Sequence, residues 1–227
     1  GKSGVVPRSE PCSMTIRFEK MIPLPMLEQD TSGSEVWEAE SIVLEHGRTY
    51  VVEAPSGRGK TSLLSVIYGI RTDYRGQCFL DERELGTFSS GEWSQIRKRR
   101  LSFIFQGLEL FHDLTALENI QLKNRMTAFH TEERIMEMAG KLGIEPFLHR
   151  KAGILSFGQQ QRVAVIRALC QPFDFLLADE SFSHMDRENS LIAYELIREE
   201  CKARGAGLIL TSLSKTNLPD ADQNLKL

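Results

Sequence analysis

Cysteine is scarce and scattered in this chain. The 227 residues hold four, Cys12, Cys78, Cys170 and Cys201, with no pair at metal-ligand spacing. Neither a zinc module nor a disulfide framework is encoded, and the thiols read as reduced, Cys170 buried on a helix. The five histidines show no ligand pairing, and His184 reads as loop composition. No run approaches the roughly 18–20 apolar residues that cross a bilayer, and no signal-peptide core is present. The chain therefore reads as soluble, with any membrane association supplied by a partner. A basic excess is missing too: 28 Lys and Arg face 31 Asp and Glu, a net charge of −3. That excludes a broad basic field for nucleic acid. The one local basic run, Arg97-Lys98-Arg99-Arg100, reads as a solvated helix face, ahead of a contact with acidic groups on a partner.

What is present begins with a phosphate-cradling loop, Ala54-Pro55-Ser56-Gly57-Arg58-Gly59-Lys60-Thr61. Glycines let a backbone approach phosphate closely and turn through φ > 0. Successive N–H groups then form an anion nest, backed by the positive end of the helix that follows through Ser62. Lys60 is expected to reach the β- and γ-phosphates and the Thr61 hydroxyl to ligate Mg²⁺. The flanks agree: Thr49–Glu53 is a β-branched strand, and Ser62–Tyr68 is a helix closed by Gly69. Ala54 replaces the usual first glycine, which is harmless if the position needs φ < 0 and strained if it needs φ > 0.

A second run, Phe173-Asp174-Phe175-Leu176-Leu177-Ala178-Asp179-Glu180, is apolar until its last two residues. Such a run suits a strand covered on both faces of a parallel sheet, and ligands gather at the carboxyl ends of such strands. Asp179 is thereby placed to bind Mg²⁺, and Glu180 to orient and polarise an attacking water.

Between these motifs stands Leu155-Ser156-Phe157-Gly158-Gln159-Gln160-Gln161-Arg162. It resembles the signature of ATP-binding-cassette ATPases. Over nearly its whole length the chain is similar to their nucleotide-binding domain, with Phe105-Gln106 and Ser183-His184-Met185-Asp186 matching in order. The resemblance implies an α/β fold: a P-loop NTPase, RecA-like core with a mostly parallel sheet, an antiparallel β region near the N-terminus and an inserted α-helical subdomain. It implies that Gln106 senses the metal and the attacking water and links the site to a transport subunit. Two cassettes would pair head to tail, so that Ser156, Gly158 and Gln159 of one close over the γ-phosphate held by Lys60 of the other, with Asp186 coupling the two sites. Thr72–Gly76, Phe79–Asp81, Arg100–Gln106 and Leu114–Ile120 look like the exporter-type ATPases of lipoprotein release, macrolide efflux and cell division.

Two departures from the family accompany these matches. Ser212 stands where the family has a switch His, and a serine donates a hydrogen bond without an imidazolium charge. The stretch Met26–Ser34 offers no aromatic ring for adenine, and Trp37 aligns with a core position at the start of a strand.

The organisation expected is an N-terminal extension over residues 1–13, Gly1 an expression scar and Met14 the native start, then a cassette over 14–227. Its core spans 14–106 and 160–227, its helical subdomain about 107–159. In the latter, Thr131 begins a helix whose Ile135, Met138, Ala139 and Leu142 share one face. The helix from Asn189 to Arg204 is ended by Gly205. The functional expectation is an ATPase subunit using ATP and Mg²⁺, peripheral at the inner membrane face through an integral-membrane permease, and a homodimer or paired cassette when ATP-bound. The alternative is an ATP-gated regulatory or scaffolding module with little hydrolysis. A cassette of DNA repair or translation is a third reading, disfavoured by the single cassette and the lack of a zinc motif or basic surface.

Overall fold

Every residue of the strand Phe175–Asp179 (β7) is buried, and its side chains alternate between two cores. A computed structural model describes residues 13–54, 59–212, 218 and 220–227. Residues 1–12, and with them Cys12 and nearly all of the expected N-terminal extension, lie outside it, as do Pro55, Ser56, Gly57 and Arg58 of the phosphate loop.

Nine strands form two sheets among the described residues. Thr15–Pro23 (β1), Ser41–Glu45 (β2), Tyr74–Leu80 (β4) and Arg83–Glu84 (β5) make an antiparallel sheet in the order β2-β1-β4-β5. Thr49–Glu53 (β3), Leu101–Ile104 (β6), β7, Gly207–Ser212 (β8) and Gln223–Lys226 (β9) make a parallel sheet in the order β6-β7-β8-β3-β9. Phe175, Leu177 and Ile209 face the core shared with the antiparallel sheet and with helix α1 (Lys60–Ile67). Leu176, Ala178, Leu208 and Leu210 face the opposite core, against α5 (Phe157–Leu169) and α6 (Arg187–Arg204). Period-two alternation thus serves two apolar layers at once, which is why the run reads as continuous. Each fully buried Leu or Ile contributes about 1.5–3 kcal/mol.

Helix α2 (Ser90–Arg99) leads into β6, and α3 (Ala116–Thr127) and α4 (Glu132–Lys141) lie between β6 and α5. Helices start where side chains satisfy first-turn donors: Thr115 and Ser156 each form a reciprocal box with the residue three on, and Thr131 accepts from the Arg134 N–H. On α4, Ile135, Met138 and Ala139 are buried as the spacing predicts. Cys78, Cys170 and Cys201 are buried, and none of the three is joined in a disulfide. No helix of the described residues is long and apolar enough to cross a membrane.

Two expectations are corrected. Trp37 is buried in a turn four residues before β2 rather than at a strand start. The basic run is not simply a solvated face. Arg97 donates to the carbonyls of Tyr68 and Gly69 at 3.1 Å each, and Arg100 to Asp174 at 2.7 Å and Asp81 at 3.0 Å. The two guanidinium groups staple α2 and β6 to their neighbours, because planar forks reach several acceptors at once.

Candidate active site

The carboxyl end of the parallel sheet gathers residues from β3, α1, β6, β7 and β8. Gly59 has φ +91° and precedes α1. A Cβ there would be strained by this backbone conformation, and it would also crowd Met26 Sδ at 2.8 Å and Trp37 Cζ2 at 3.0 Å. Ala54 is not among the described residues with left-handed backbone, so the missing glycine carries no such strain.

Lys60 is the hub. Its Nζ lies 2.8 Å from Glu180 Oε1 and donates to the carbonyls of Ala54 at 2.9 Å and Ser212 at 3.2 Å. The Thr61 hydroxyl donates to Asp179 Oδ2 at 2.8 Å. Gln106, just past β6, donates its amide to Glu180 Oε2 at 3.0 Å. Glu180 has φ +50°, rare for a residue with a side chain. That turn out of β7 carries its carboxylate to Lys60, and its N–H donates to Thr211 Oγ1 at 3.1 Å.

Thr211 also donates its hydroxyl to Asp179 Oδ1 at 2.8 Å. One hydroxyl thus fixes both carboxylate-bearing residues, a role the sequence reading did not assign. The available signal is its place at the end of a strand paired with β7. Burial raises the pKa of Asp179 above the usual carboxylate range, and the Glu180 charge adds to this, while hydroxyl donation from Thr61 and Thr211 and the Lys60 ammonium oppose it. A buried carboxylate of this kind gains from a cation beside it. A cavity of about 340 Å³ adjoins the group, lined by Glu180, Ser181, Phe182, Thr211, Ser212 and Leu218 among others.

Ser156, Gly158 and Gln159 stand apart from this hub, with no hydrogen bond or ion pair among the described residues joining them to it. Ser156 caps α5: its hydroxyl accepts from Gln159 N–H at 3.1 Å, and Gln159 Oε1 accepts from the Ser156 N–H at 2.9 Å. A Cβ on Gly158 would meet the His184 carbonyl oxygen at 2.5 Å, so the turn after β7 packs directly on the start of α5. Buried Gln161 clamps that turn, donating to Ser183 Oγ at 3.1 Å and accepting from the His184 N–H at 3.0 Å. His184, read from sequence as loop composition, packs edge-on against Phe157 with centroids 4.4 Å apart. Asp186 caps α6, accepting from Asn189 N at 2.7 Å and Nδ2 at 2.9 Å, and these bonds hold its carboxyl below the usual range. Ser62 lies half-buried in the first turn of α1.

A sequence model of the family described as ABC transporter matches residues 39–183. A curated relative, the lipoprotein-releasing system ATP-binding protein LolD 1 of Chlorobium luteolum, is 32% identical over 216 residues, covering 90% of this chain and 86% of its own length. The dimeric structure of MJ0796, a bacterial ABC transporter cassette, is similar in fold with a TM-score of 0.75 at 22% identity, covering 93% of this chain and 94% of that one. A dimeric post-hydrolysis state of the MJ0796 cassette bound to ADP and Pi gives a TM-score of 0.69 at 23% identity, covering 88% of each chain.

Proposed function

The chain belongs to the ABC transporter family, as an ATP-binding cassette, and from that premise we propose that it binds and hydrolyses Mg-ATP to drive a membrane permease. The observation that carries this reading is the unbroken chain of contacts of 2.8–3.0 Å from Gln106 through Glu180 to Lys60, beside the Thr61–Asp179 pair. Lys60 holds the β- and γ-phosphates, exchanging its internal partners for them. Glu180 accepts the proton of the attacking water, and Gln106 orients that water through Glu180. Ser56, Gly57, Arg58 and Gly59 supply backbone N–H donors to the phosphates, Pro55 having none to give.

Thr61 and Asp179 are the residues that would hold Mg²⁺. They fit it: both present hard oxygen donors, 2.8 Å apart, and the buried carboxylate is short of positive charge. Among the described residues no group of three or more His, Cys, Asp or Glu could hold a metal. That suits an ion held by one carboxylate, one hydroxyl and the nucleotide's own phosphates. Bound there, Mg²⁺ would neutralise charge developing on the phosphates.

The separation of Ser156, Gly158 and Gln159 from Lys60 supports a two-chain reaction. Two copies, or this cassette and a paired one, close with the α5 N-terminus of one over the nucleotide of the other. Asp186 and the Ser183–His184 turn, clamped on α5, couple the sites. The LolD 1 relative is named for lipoprotein release, and we extend to this chain an exporter-type role at the inner membrane face, docked through its permease. Ser212 favours a second reading, an ATP-gated module with little hydrolysis, since a serine cannot supply an imidazolium charge.

Lys60→Ala tests the phosphate assignment. Affinity for Mg-ATP, measured by titration calorimetry, is expected to fall by about 10- to 100-fold, the loss of hydrogen bonds to a charged group worth about 1.5–3 kcal/mol. Unchanged affinity would place the nucleotide elsewhere.

A further inference from the structure

Two residues past Gln106 the backbone does something costly. Leu108 has φ +65° and Glu109 has φ +53°. Successive left-handed residues with side chains cost roughly 1–3 kcal/mol each, and they persist only where their surroundings over-determine them. The N–H of Leu108 donates to the Phe105 carbonyl at 2.9 Å, and that of Glu109 to the Gly107 carbonyl at 2.8 Å. Leu108 is buried, which anchors the segment on one side only.

The other anchor is Arg167, in the last turn of α5. Its Nη1 donates to the Glu109 carbonyl at 2.7 Å, and its Nη2 donates to the Leu108 carbonyl. One planar fork thus takes the carbonyls of both strained residues, which a single ammonium cannot do at the same geometry. The surroundings are not those that ordinarily collect a cation. Burial works against the Arg167 charge, relieved in part by the Glu109 carboxylate, and half-buried Lys123 is a like charge nearby. The two backbone carbonyls are what the guanidinium finds there.

The mechanical consequence follows from where α5 runs. Thirteen residues make a rod about 20 Å long. Its first turn carries Ser156, Gly158 and Gln159, and its last turn grips the segment that holds Gln106. Gln106 in turn bonds Glu180 at 3.0 Å. Any rigid-body shift of α5 therefore pulls on the partner of the catalytic carboxylate.

We infer that Arg167 is a positioning residue for hydrolysis, tying the signature helix to Gln106 so that movement of one sets the geometry of the other at Glu180. The inference rests on the hydrolytic reading above. It concerns catalysis rather than binding, since no hydrogen bond or ion pair among the described residues joins Arg167 to Lys60 or to the Thr61–Asp179 pair.

The test is a double-mutant cycle in steady-state ATP hydrolysis with Arg167→Lys, Gln106→Ala and the double variant. Arg167→Lys keeps the charge and loses the fork. Its kcat is expected to fall by about 10- to 100-fold, as small misplacements of reacting groups do, with KM for Mg-ATP within about twofold. Gln106→Ala lowers kcat comparably, and the double variant is no slower than the slower single one, because both changes break the same connection. A purely structural arginine would instead change KM or stability along with kcat, and its effect would multiply with that of Gln106→Ala. Multiplied effects, or an Arg167→Lys variant with wild-type kcat, would overturn the inference while leaving the hydrolytic reading intact. A wild-type protein without turnover would overturn both.

Discussion

Glu180→Gln is expected to lower phosphate release by about 10²–10⁴-fold, the range that a positioned general base contributes. The change keeps the size of the side chain and one of its two oxygens. It removes the charge that faces Lys60 at 2.8 Å and the basicity that would take a proton from water. Binding is expected to survive, because Lys60, proposed to hold the phosphates, and Thr61, proposed to hold Mg²⁺, are untouched. Lys60 is in fact freed of a carboxylate that competes with phosphate. The variant should therefore accumulate as an ATP-bound pair, seen as a doubled mass in gel filtration with Mg-ATP and not with Mg-ADP. A variant that turns over at the wild-type rate would move the base to another residue and leave the left-handed turn at Glu180 without a catalytic purpose.

The second large effect concerns stability and lies far from the nucleotide. Glu200 on α6 is 3% exposed and is surrounded by cations. Arg134 of α4 donates to Oε1 at 2.8 and 3.2 Å, His130 lies 3.2 Å from Oε2, and Arg204 also donates to Oε2. The Arg204 guanidinium sits 4.3 Å from the ring centres of both Phe129 and Phe173 and reaches the carbonyls of Leu169 and Gln171. Removing the carboxylate charge leaves Arg204 buried without its counter-ion. Glu200→Gln is expected to destabilise the fold by about 3–5 kcal/mol, the cost of breaking a buried pair from one side, measured by chemical denaturation.

The pH dependence has a definite sign. Burial alone would push the Glu200 carboxyl up, but the bonds and charges of His130 and Arg204 prevail and hold it well below the usual range. A depressed carboxylate stabilises the fold above its unfolded pKa of about 4.3 and loses that contribution as pH falls toward the folded value. Wild-type stability should decline below about pH 5 more steeply than that of Glu200→Gln. Parallel curves would mean that another group carries the acid sensitivity.

How much of this was legible in the sequence depends on the distance between partners. The strands at Thr49–Glu53, Phe175–Asp179 and Gly207–Ser212 announce themselves by β-branched and apolar runs. The caps at Ser156 and Thr131 follow from residues three apart. Lys60, Thr61, Asp179 and Glu180 were legible as motifs, because phosphate chemistry needs those residue types in a local order. Thr211, Gln161 and Arg167 were not, since each acts on a partner 22 to 59 residues away, and nothing local marks a threonine or arginine for such a task. The same holds for Arg97 and Arg100, where charge suggested a solvated surface and the acceptors came from other elements. Trp37 was legible as a core residue, yet its packing on Gly59 arises from the turn before β2, which has no periodic signal.

That the reaction needs two chains is inferred because no hydrogen bond or ion pair among the described residues joins Ser156, Gly158 or Gln159 to the Lys60 hub. Steady-state phosphate release with saturating Mg-ATP, followed over a wide range of protein concentration, tests it most directly. The rate per chain is expected to rise with concentration and to level off as pairs fill. A measurable rate per chain that is independent of concentration, from protein that gel filtration shows to be monomeric throughout, would contradict it.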